Sequence, residues 1–379
     1  MMIRFSLILA LFLAASGLHG DSYSSSRDGF QFDLPPGYRM TEGRDRRFSF
    51  RNGQGSVFEI AVEKGPGKAE ALLGQKLSRL GNGGEIEAFD YRGAGAALAR
   101  LEFNMGGAAY LGWGLCLDRG EDLLLALAYG PGEDSQEIFH LSSLDSIAPT
   151  PGDRYYWGPV TEYGWPRGEL RETPLYNSDV TALIGAGDAE AAQALVDREF
   201  YVLRQFEDSP LWQDAWRRFY RMILRDSWER LRDPLFQLER KWNAGAALGG
   251  GKAGEDSPGL SDRELAAGAL SYVQGFRYER DLMGSDFVNL VSAVTEGRGD
   301  CDSRALLWAL FLSQAGVDAG IMVSRDYGHA MGIADIAGPG ARFPFEGKEY
   351  LVAETTAAVE LGLIGKNVSE TAKWMGVNF

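Results

Sequence analysis

Residues 297–304 read Gly-Arg-Gly-Asp-Cys-Asp-Ser-Arg and lead directly into the apolar run Ala305–Leu312. The glycines allow the positive φ angles of a sharp turn, and Asp300 is a residue type that caps helix N-termini. The run after it carries no polar residue, which predicts a helix buried in a core. Cys301 therefore stands at the start of a buried helix, where the helix dipole favours a thiolate and the charge of Asp302 opposes one.

A thiolate at this position needs a cationic or hydrogen-bonding partner, and the chain offers few. It has three histidines and two cysteines. His19 falls in an N-terminal apolar segment, so His329 is the only histidine that follows Cys301 in the sequence. It begins a strand-like run, and Glu354 ends the next one. A cysteine, a histidine and a carboxylate in this order are typical of a nucleophile, a base and a residue that orients the base.

Two other carboxylates compete for the orienting role. Asp326 lies in the turn before His329, and Asp335 lies six residues after it. A strand rises more than 3 Å per residue, about 20 Å over six residues, which makes Asp335 too distant to reach the ring. If the strands that carry His329 and Glu354 are antiparallel neighbours, the start of one meets the end of the other.

These motifs, with Tyr272–Tyr278 upstream, resemble the transglutaminase-like superfamily of papain-fold cysteine enzymes, bacterial exported type, over about residues 261–360. The resemblance implies a buried helix packed on an antiparallel sheet and a catalytic triad of Cys301, His329 and Glu354. Glu354 stands where many members carry Asp. Gln274 is a candidate oxyanion donor or a structural support, and Asp300 and Asp302 are further support candidates.

The N-terminus has the pattern of a secretory signal peptide. Met1–Arg4 is short and basic, Phe5–Ala15 is apolar, and small residues follow, with cleavage possible after Ser16 or Gly20. The apolar run is shorter than a membrane span of about 20 residues, although an uncleaved anchor is the alternative. We therefore expect an exported protein, secreted or periplasmic, with no membrane span after cleavage.

The composition of the chain disfavours several classes of partner and cofactor. A formal net charge of −15 disfavours binding to nucleic acid or to anionic lipid. Three histidines and two cysteines are too few for a zinc site, so we expect no metal and no cofactor. Cys116 and Cys301 fall in different predicted domains, which favours two free thiols over a disulfide between them.

The pattern predicts an α+β protein of four parts. These are a signal peptide (1–20), an N-terminal domain with a mostly antiparallel sheet (21–150), a middle segment (151–260) and the transglutaminase-like domain (261–379). Strand-like alternation, a helix over Ala69–Leu80 and a closing helix define the N-terminal domain, which weakly resembles small PsbP/Mog1-like domains. His140, in the closing helix, is predicted to be packed or exposed rather than functional.

The middle segment is predicted to hold an aromatic stretch (151–177), a helical hairpin and a Gly-rich linker (244–259). The aromatic side chains favour packing between domains over a glycan-binding strip. The hairpin helices carry six arginines on their polar faces, and we expect these faces in water, with a membrane-surface helix as the alternative. The arginines are Arg217, Arg218, Arg221, Arg225, Arg230 and Arg232.

Taken together, the sequence predicts an exported enzyme that attacks amide bonds through a thioester acyl-enzyme on Cys301. Either water (peptidase or amidase) or an amine (acyl transferase) would accept the acyl group, and the substrate would be a protein or peptide, including cell-wall peptide. The alternative is a catalytically inactive transglutaminase-like module that binds a protein or cell-wall partner. A third, weaker possibility is a structural protein linked by a Cys116–Cys301 disulfide.

Overall fold

The structure is a computed structural model that describes residues 22–379 except 66, 82–83, 133–135, 250–259 and 281–284. The predicted signal peptide and most of the predicted Gly-rich linker lie outside the described residues. No helix in the described part of the chain has the length and apolarity needed to cross a membrane.

The N-terminal part is built on one large antiparallel sheet. Its elements are β1 (Tyr23–Ser25), β2 (Phe30–Phe32), β3 (Arg39–Arg44), β4 (Arg47–Arg51), β5 (Val57–Lys64), α1 (Ala69–Leu80), β6 (Ile86–Tyr91), β7 (Ala94–Met105), β8 (Ala108–Asp118), β9 (Asp122–Pro131) and α2 (Glu137–Asp145). Seven of the strands form a sheet in the order β3-β4-β5-β9-β8-β7-β6, with every neighbouring pair antiparallel.

The two faces of this sheet are covered differently. Leu73 and Leu77 of α1 pack on one face, and β2 with the end of α2 packs on the other through Phe30, Phe32 and Leu144. Strand alternation sends successive side chains to opposite faces, so each strand contributes to both cores. The predicted α+β architecture with a mostly antiparallel sheet is confirmed for this part of the chain.

The middle of the chain is mainly helical. Its elements are α3 (Pro159–Gly164), β10 (Leu170–Pro174), β11 (Thr181–Gly185), α4 (Asp188–Arg204), α5 (Trp212–Arg230) and α6 (Arg232–Gly249). Strands β10 and β11 form an antiparallel hairpin that the sequence analysis does not predict. Helix α6 also extends to Gly249, so the expectation of a linker from residue 244 is wrong for 244–249. The alanines and the leucine of this stretch have a higher helix propensity than its glycines.

The expectation that the arginines face water is wrong for Arg218, Arg221, Arg225 and Arg230 of α5, whereas Arg232, at the start of α6, is 72% exposed as expected. Arg218 is 2% exposed and Arg230 is 1% exposed. Arg221 pairs with Asp33, and Arg225 donates to the main-chain oxygens of Asp145, Tyr156 and Ile147. The arginine face of α5 is thus a polar contact with the N-terminal part, and each guanidinium is matched by carboxylates or carbonyls.

The aromatic stretch lies in the same contact. Trp157 is fully buried, with the guanidinium of Arg230 4.4 Å from its ring centroid, and Tyr155 stacks on Trp228 at 4.1 Å. Packing between the N-terminal sheet and the middle helices, rather than an exposed aromatic strip, is what these residues provide.

The C-terminal part surrounds a buried helix. Its elements are α7 (Asp262–Gln274), β12 (Arg277–Tyr278), α8 (Leu290–Glu296), β13 (Arg298–Gly299), α9 (Cys301–Gln314), β14 (Ala319–Ser324), β15 (His329–Ala334), β16 (Arg342–Phe345), β17 (Lys348–Ala353) and β18 (Met375–Val377). Five strands form an antiparallel sheet in the order β16-β17-β15-β14-β18.

Helix α9 is buried from Cys301 to Leu312 apart from Asp302, as its apolar sequence predicts, and packs on β14 and β15. Trp308 lies directly over Gly332, where an added Cβ would stand 2.3 Å from the indole ring. This close approach sets the depth at which α9 sits on the sheet. A buried helix on an antiparallel sheet is therefore confirmed, whereas the transglutaminase-like identity of this domain stays a prediction.

Candidate active site

Cys301 is the first residue of α9. Asp300 caps the helix by accepting from the Ser303 N–H at 2.8 Å and from the Ser303 hydroxyl at 2.5 Å. The turn before it is held by Gly297, whose φ of 64° lies in the left-handed region. Cys301 is 8% exposed and lies in the same core cluster as Ala330, the residue after His329. The thiol of α9 therefore meets strand β15 at the point where His329 stands.

His329 and Glu354 lie beside each other, as the antiparallel pairing of their strands predicts. Gly332 pairs with Ala353 in antiparallel register, which brings the start of β15 beside the residue that follows β17. His329 Nε2 lies 2.9 Å from Glu354 Oε2. An ionised carboxylate only accepts hydrogen bonds, so Nε2 carries the proton and Nδ1 is the nitrogen left to receive one.

Glu354 is fixed on its other side by Thr356. The Thr356 N–H and hydroxyl donate to Glu354 Oε1 at 2.8 and 2.6 Å. Burial alone would raise the pKa of Glu354, but the hydrogen bonds from His329 and Thr356 outweigh burial and hold that pKa below its usual value. Glu354 is therefore an anion at neutral pH with both oxygens engaged.

Gln274 holds the backbone around Glu354 in place. Its Nε2 donates to the carbonyl of Glu354 at 2.8 Å and to that of Val359 at 3.0 Å. The two amide hydrogens are thereby engaged, so Gln274 holds the backbone after β17 and does not point a donor at the thiol. The competing carboxylate Asp335 instead pairs with Lys348 at 2.8 Å.

Two carboxylates shape the charge around the thiol. Asp302 Oδ1 lies 3.6 Å from Cys301 Sγ, and burial followed by the charge of Asp302 raises the pKa of Tyr220 in α5. Burial, followed by the charges of Asp302 and Asp300, raises the pKa of the Cys301 thiol. Burial likewise raises the pKa of Asp300 to about 7. The thiol in this structure is therefore protonated and donates to Asp302.

Asp300, Cys301 and Asp302 also bring three possible metal-ligand atoms within 4.8 Å of one another. Asp300 already accepts from Ser303, and Asp302 from the thiol. One cysteine sulfur and two carboxylates fall short of the four ligands, mainly cysteine and histidine, of a structural zinc site, so we assign this cluster no metal.

Sequence reasoning did not identify three residues around the site. Thr356 follows Glu354 by two positions, a spacing at which threonine commonly bonds to a neighbouring turn, and this signal was available. Tyr220 of α5 and Tyr278 of β12 belong to segments distant in the sequence from Cys301 and have no local signal. Cys116 lies in β8, and both cysteines are free, so no Cys116–Cys301 disulfide is present.

Comparison with known proteins adds little. No family model matches the chain, and no curated protein matches it. A crystal structure of a protein from Bacteroides thetaiotaomicron VPI-5482 is 14% identical with a TM-score of 0.27, covering 54% of this chain and 77% of its own. A solution structure of cyanobacterial PsbP (CyanoP) from Synechocystis sp. PCC 6803 is 15% identical with a TM-score of 0.28, covering 35% of this chain and 95% of its own.

The weak resemblance to PsbP is thus confirmed only in that a PsbP structure is among the neighbours. At these TM-scores neither likeness carries an argument about fold or function. Neither protein is described as transglutaminase-like.

Proposed function

We propose that this protein is an exported cysteine-dependent enzyme of amide bonds, with a transglutaminase-like C-terminal domain. The observation that supports this most is the 2.9 Å contact between His329 Nε2 and the ionised Glu354, beside the helix N-terminus that carries Cys301. This contact fixes the imidazole tautomer with Nδ1 free to take a proton, as a general base requires.

In the proposed reaction, His329 takes the proton of Cys301, and the thiolate attacks the carbonyl carbon of a protein or peptide amide. Backbone N–H groups at the start of α9, including that of Cys301, stabilise the oxyanion. The imidazolium then protonates the leaving amine, leaving a thioester on Cys301. Water or an amine attacks this thioester and restores the thiol. No metal or cofactor takes part in these steps.

Substrate turnover tests this proposal. The mature protein is incubated with a peptide library, and new amino termini report hydrolysis while incorporation of a labelled primary amine reports transfer. We expect turnover that Cys301→Ser abolishes and Cys116→Ser, at the buried cysteine of β8, leaves unchanged. Turnover that survives Cys301→Ser would refute the proposal.

A second candidate function has its own observation in favour. Burial, followed by the charges of Asp302 and Asp300, raises the pKa of the Cys301 thiol, as a site that has lost activity would tolerate. In this case the domain binds a protein or cell-wall peptide without cleaving it. If the wild type binds a partner without turning it over, and Cys301→Ser still binds that partner, the result would favour this function.

A further inference from the structure

A pocket adjoins the imidazole–carboxylate pair of His329 and Glu354. It encloses about 470 Å³ and is lined by His329 and Glu354 but not by Cys301. The turn before β15 forms one wall, and residues 357–368, which follow β17, form the other. Its volume is within the range of small-ligand sites, and it is continuous with the candidate active site.

The chemistry of the lining is apolar. Apart from His329 and Glu354, no lining residue carries a charged side chain. The wall after β17 contributes Val359, Leu363 and Ile364, and Leu363 is 52% exposed. Both oxygens of Glu354 already accept hydrogen bonds, Oε2 from His329 and Oε1 from Thr356, so its charge is partly matched within the protein.

The pocket is linked to the thiol through β15. His329 lines the pocket, and Ala330, the next residue of the strand, lies in the same core cluster as Cys301. The pocket therefore borders the residue that acts as the base in the proposed reaction, where a side chain of a bound peptide would lie close to the bond under attack.

We propose that this pocket is a specificity subsite for an uncharged, apolar side chain of a peptide, at a residue flanking the scissile amide. The inference rests on the proposed function and narrows its substrate class. A charged side chain would lose hydration there, and the one carboxylate in the lining, Glu354, already pairs with His329, whereas an aliphatic or aromatic side chain buries apolar surface against Leu363 and its neighbours.

The test is a Leu363→Asp variant compared with Leu170→Asp, which changes a leucine of similar exposure (47%) in β10, outside the pocket. Peptides that differ at one flanking residue are assayed for kcat/KM with each protein. We expect Leu363→Asp to lower kcat/KM for apolar peptides by at least about tenfold relative to lysine peptides, and Leu170→Asp to leave the ratio unchanged.

The outcomes separate the subsite from the proposed function. Turnover with no apolar preference, or with a preference that Leu363→Asp does not alter, overturns the subsite and leaves the enzyme standing. If no peptide is turned over, binding of the same peptides to Cys301→Ala is measured by fluorescence anisotropy. Apolar-selective binding that Leu363→Asp removes supports the pocket in an inactive module, and binding without such selectivity overturns it.

Discussion

Replacement of Arg218 by Met should destabilise the protein markedly, because this arginine is the centre of a buried polar cluster. Its guanidinium donates to Glu199 Oε2 at 2.5 Å, to the Asp33 carbonyl at 2.8 Å and to the Ser142 hydroxyl at 2.8 Å. Both Arg218 and Glu199 are almost fully buried, at 2% and 1% exposed. Methionine keeps most of the volume of the arginine side-chain stem and removes all its hydrogen-bond donors, so the loss of stability measures the contribution of the polar contacts.

The expected loss of stability depends on which partners Glu199 keeps when Arg218 is replaced. Removing one partner of a buried ion pair costs about 3–5 kcal/mol, because a charge is left uncompensated. Glu199 keeps Arg198 at 2.9 Å and the Ser142 hydroxyl at 2.8 Å. The loss should therefore fall at the lower end, about 3 kcal/mol in the free energy of unfolding.

Urea denaturation followed by tryptophan fluorescence measures this loss. Arg232→Met is the matched control, since that arginine is 72% exposed in its 3.5 Å pair with Glu229 and its removal should cost less than about 0.5 kcal/mol. Adding Glu199→Gln to Arg218→Met should cost less than the sum of the two single changes, because the uncompensated charge is then absent. A loss below about 1 kcal/mol for Arg218→Met would refute the buried-cluster reasoning.

Three further predictions concern the site and its support. Glu354→Gln removes the anion that orients His329 and should lower kcat/KM by about 10²–10⁴-fold with an unchanged circular dichroism spectrum; near-wild-type turnover would exclude the orienting role. Asp302→Asn removes a charge that raises the pKa of Cys301, so the pH midpoint of thiol alkylation should move down, and further than in Asp300→Asn; an upward shift would contradict this. Gly332→Ala would place a Cβ 2.3 Å from the Trp308 ring and should cost about 1–3 kcal/mol in denaturation, whereas Gly95→Ala, with nothing within 4 Å, should cost little.

Local patterns in the sequence were sufficient for much of the fold. The helix predicted over Ala69–Leu80 has those bounds, because its apolar spacing and the glycine stop at Gly81 act within the helix itself. The N-cap at Asp300 and the strand that begins at His329 are confirmed for the same reason. The strand ends that carry His329 and Glu354 could be placed together because antiparallel register is a short-range rule.

Features set by distant partners could not be predicted in this way. An arginine stripe on a helix has the same sequence pattern whether it faces water or a second domain. It is buried here because Asp33 and the carbonyl of Ser142 lie against it, and both are distant in the sequence. The edge strands β16 and β18 are short and rich in Gly, Pro or aromatic residues, so their pattern does not differ from that of a loop. The electrostatic interaction of Tyr220 with Asp302 joins residues of two distant helices and has no periodic signal.

The most direct test of the proposed active site is the rate at which iodoacetamide labels Cys301 as a function of pH, with peptide mapping to separate it from Cys116. Wild type is compared with His329→Ala. We predict that labelling is faster in the wild type than in His329→Ala at each pH, because the imidazole accepts the thiol proton, although burial and the charges of Asp302 and Asp300 raise the pKa of Cys301 in both proteins. Slow labelling that is the same in both proteins would contradict the thiol–imidazole pair and favour a binding role for the domain.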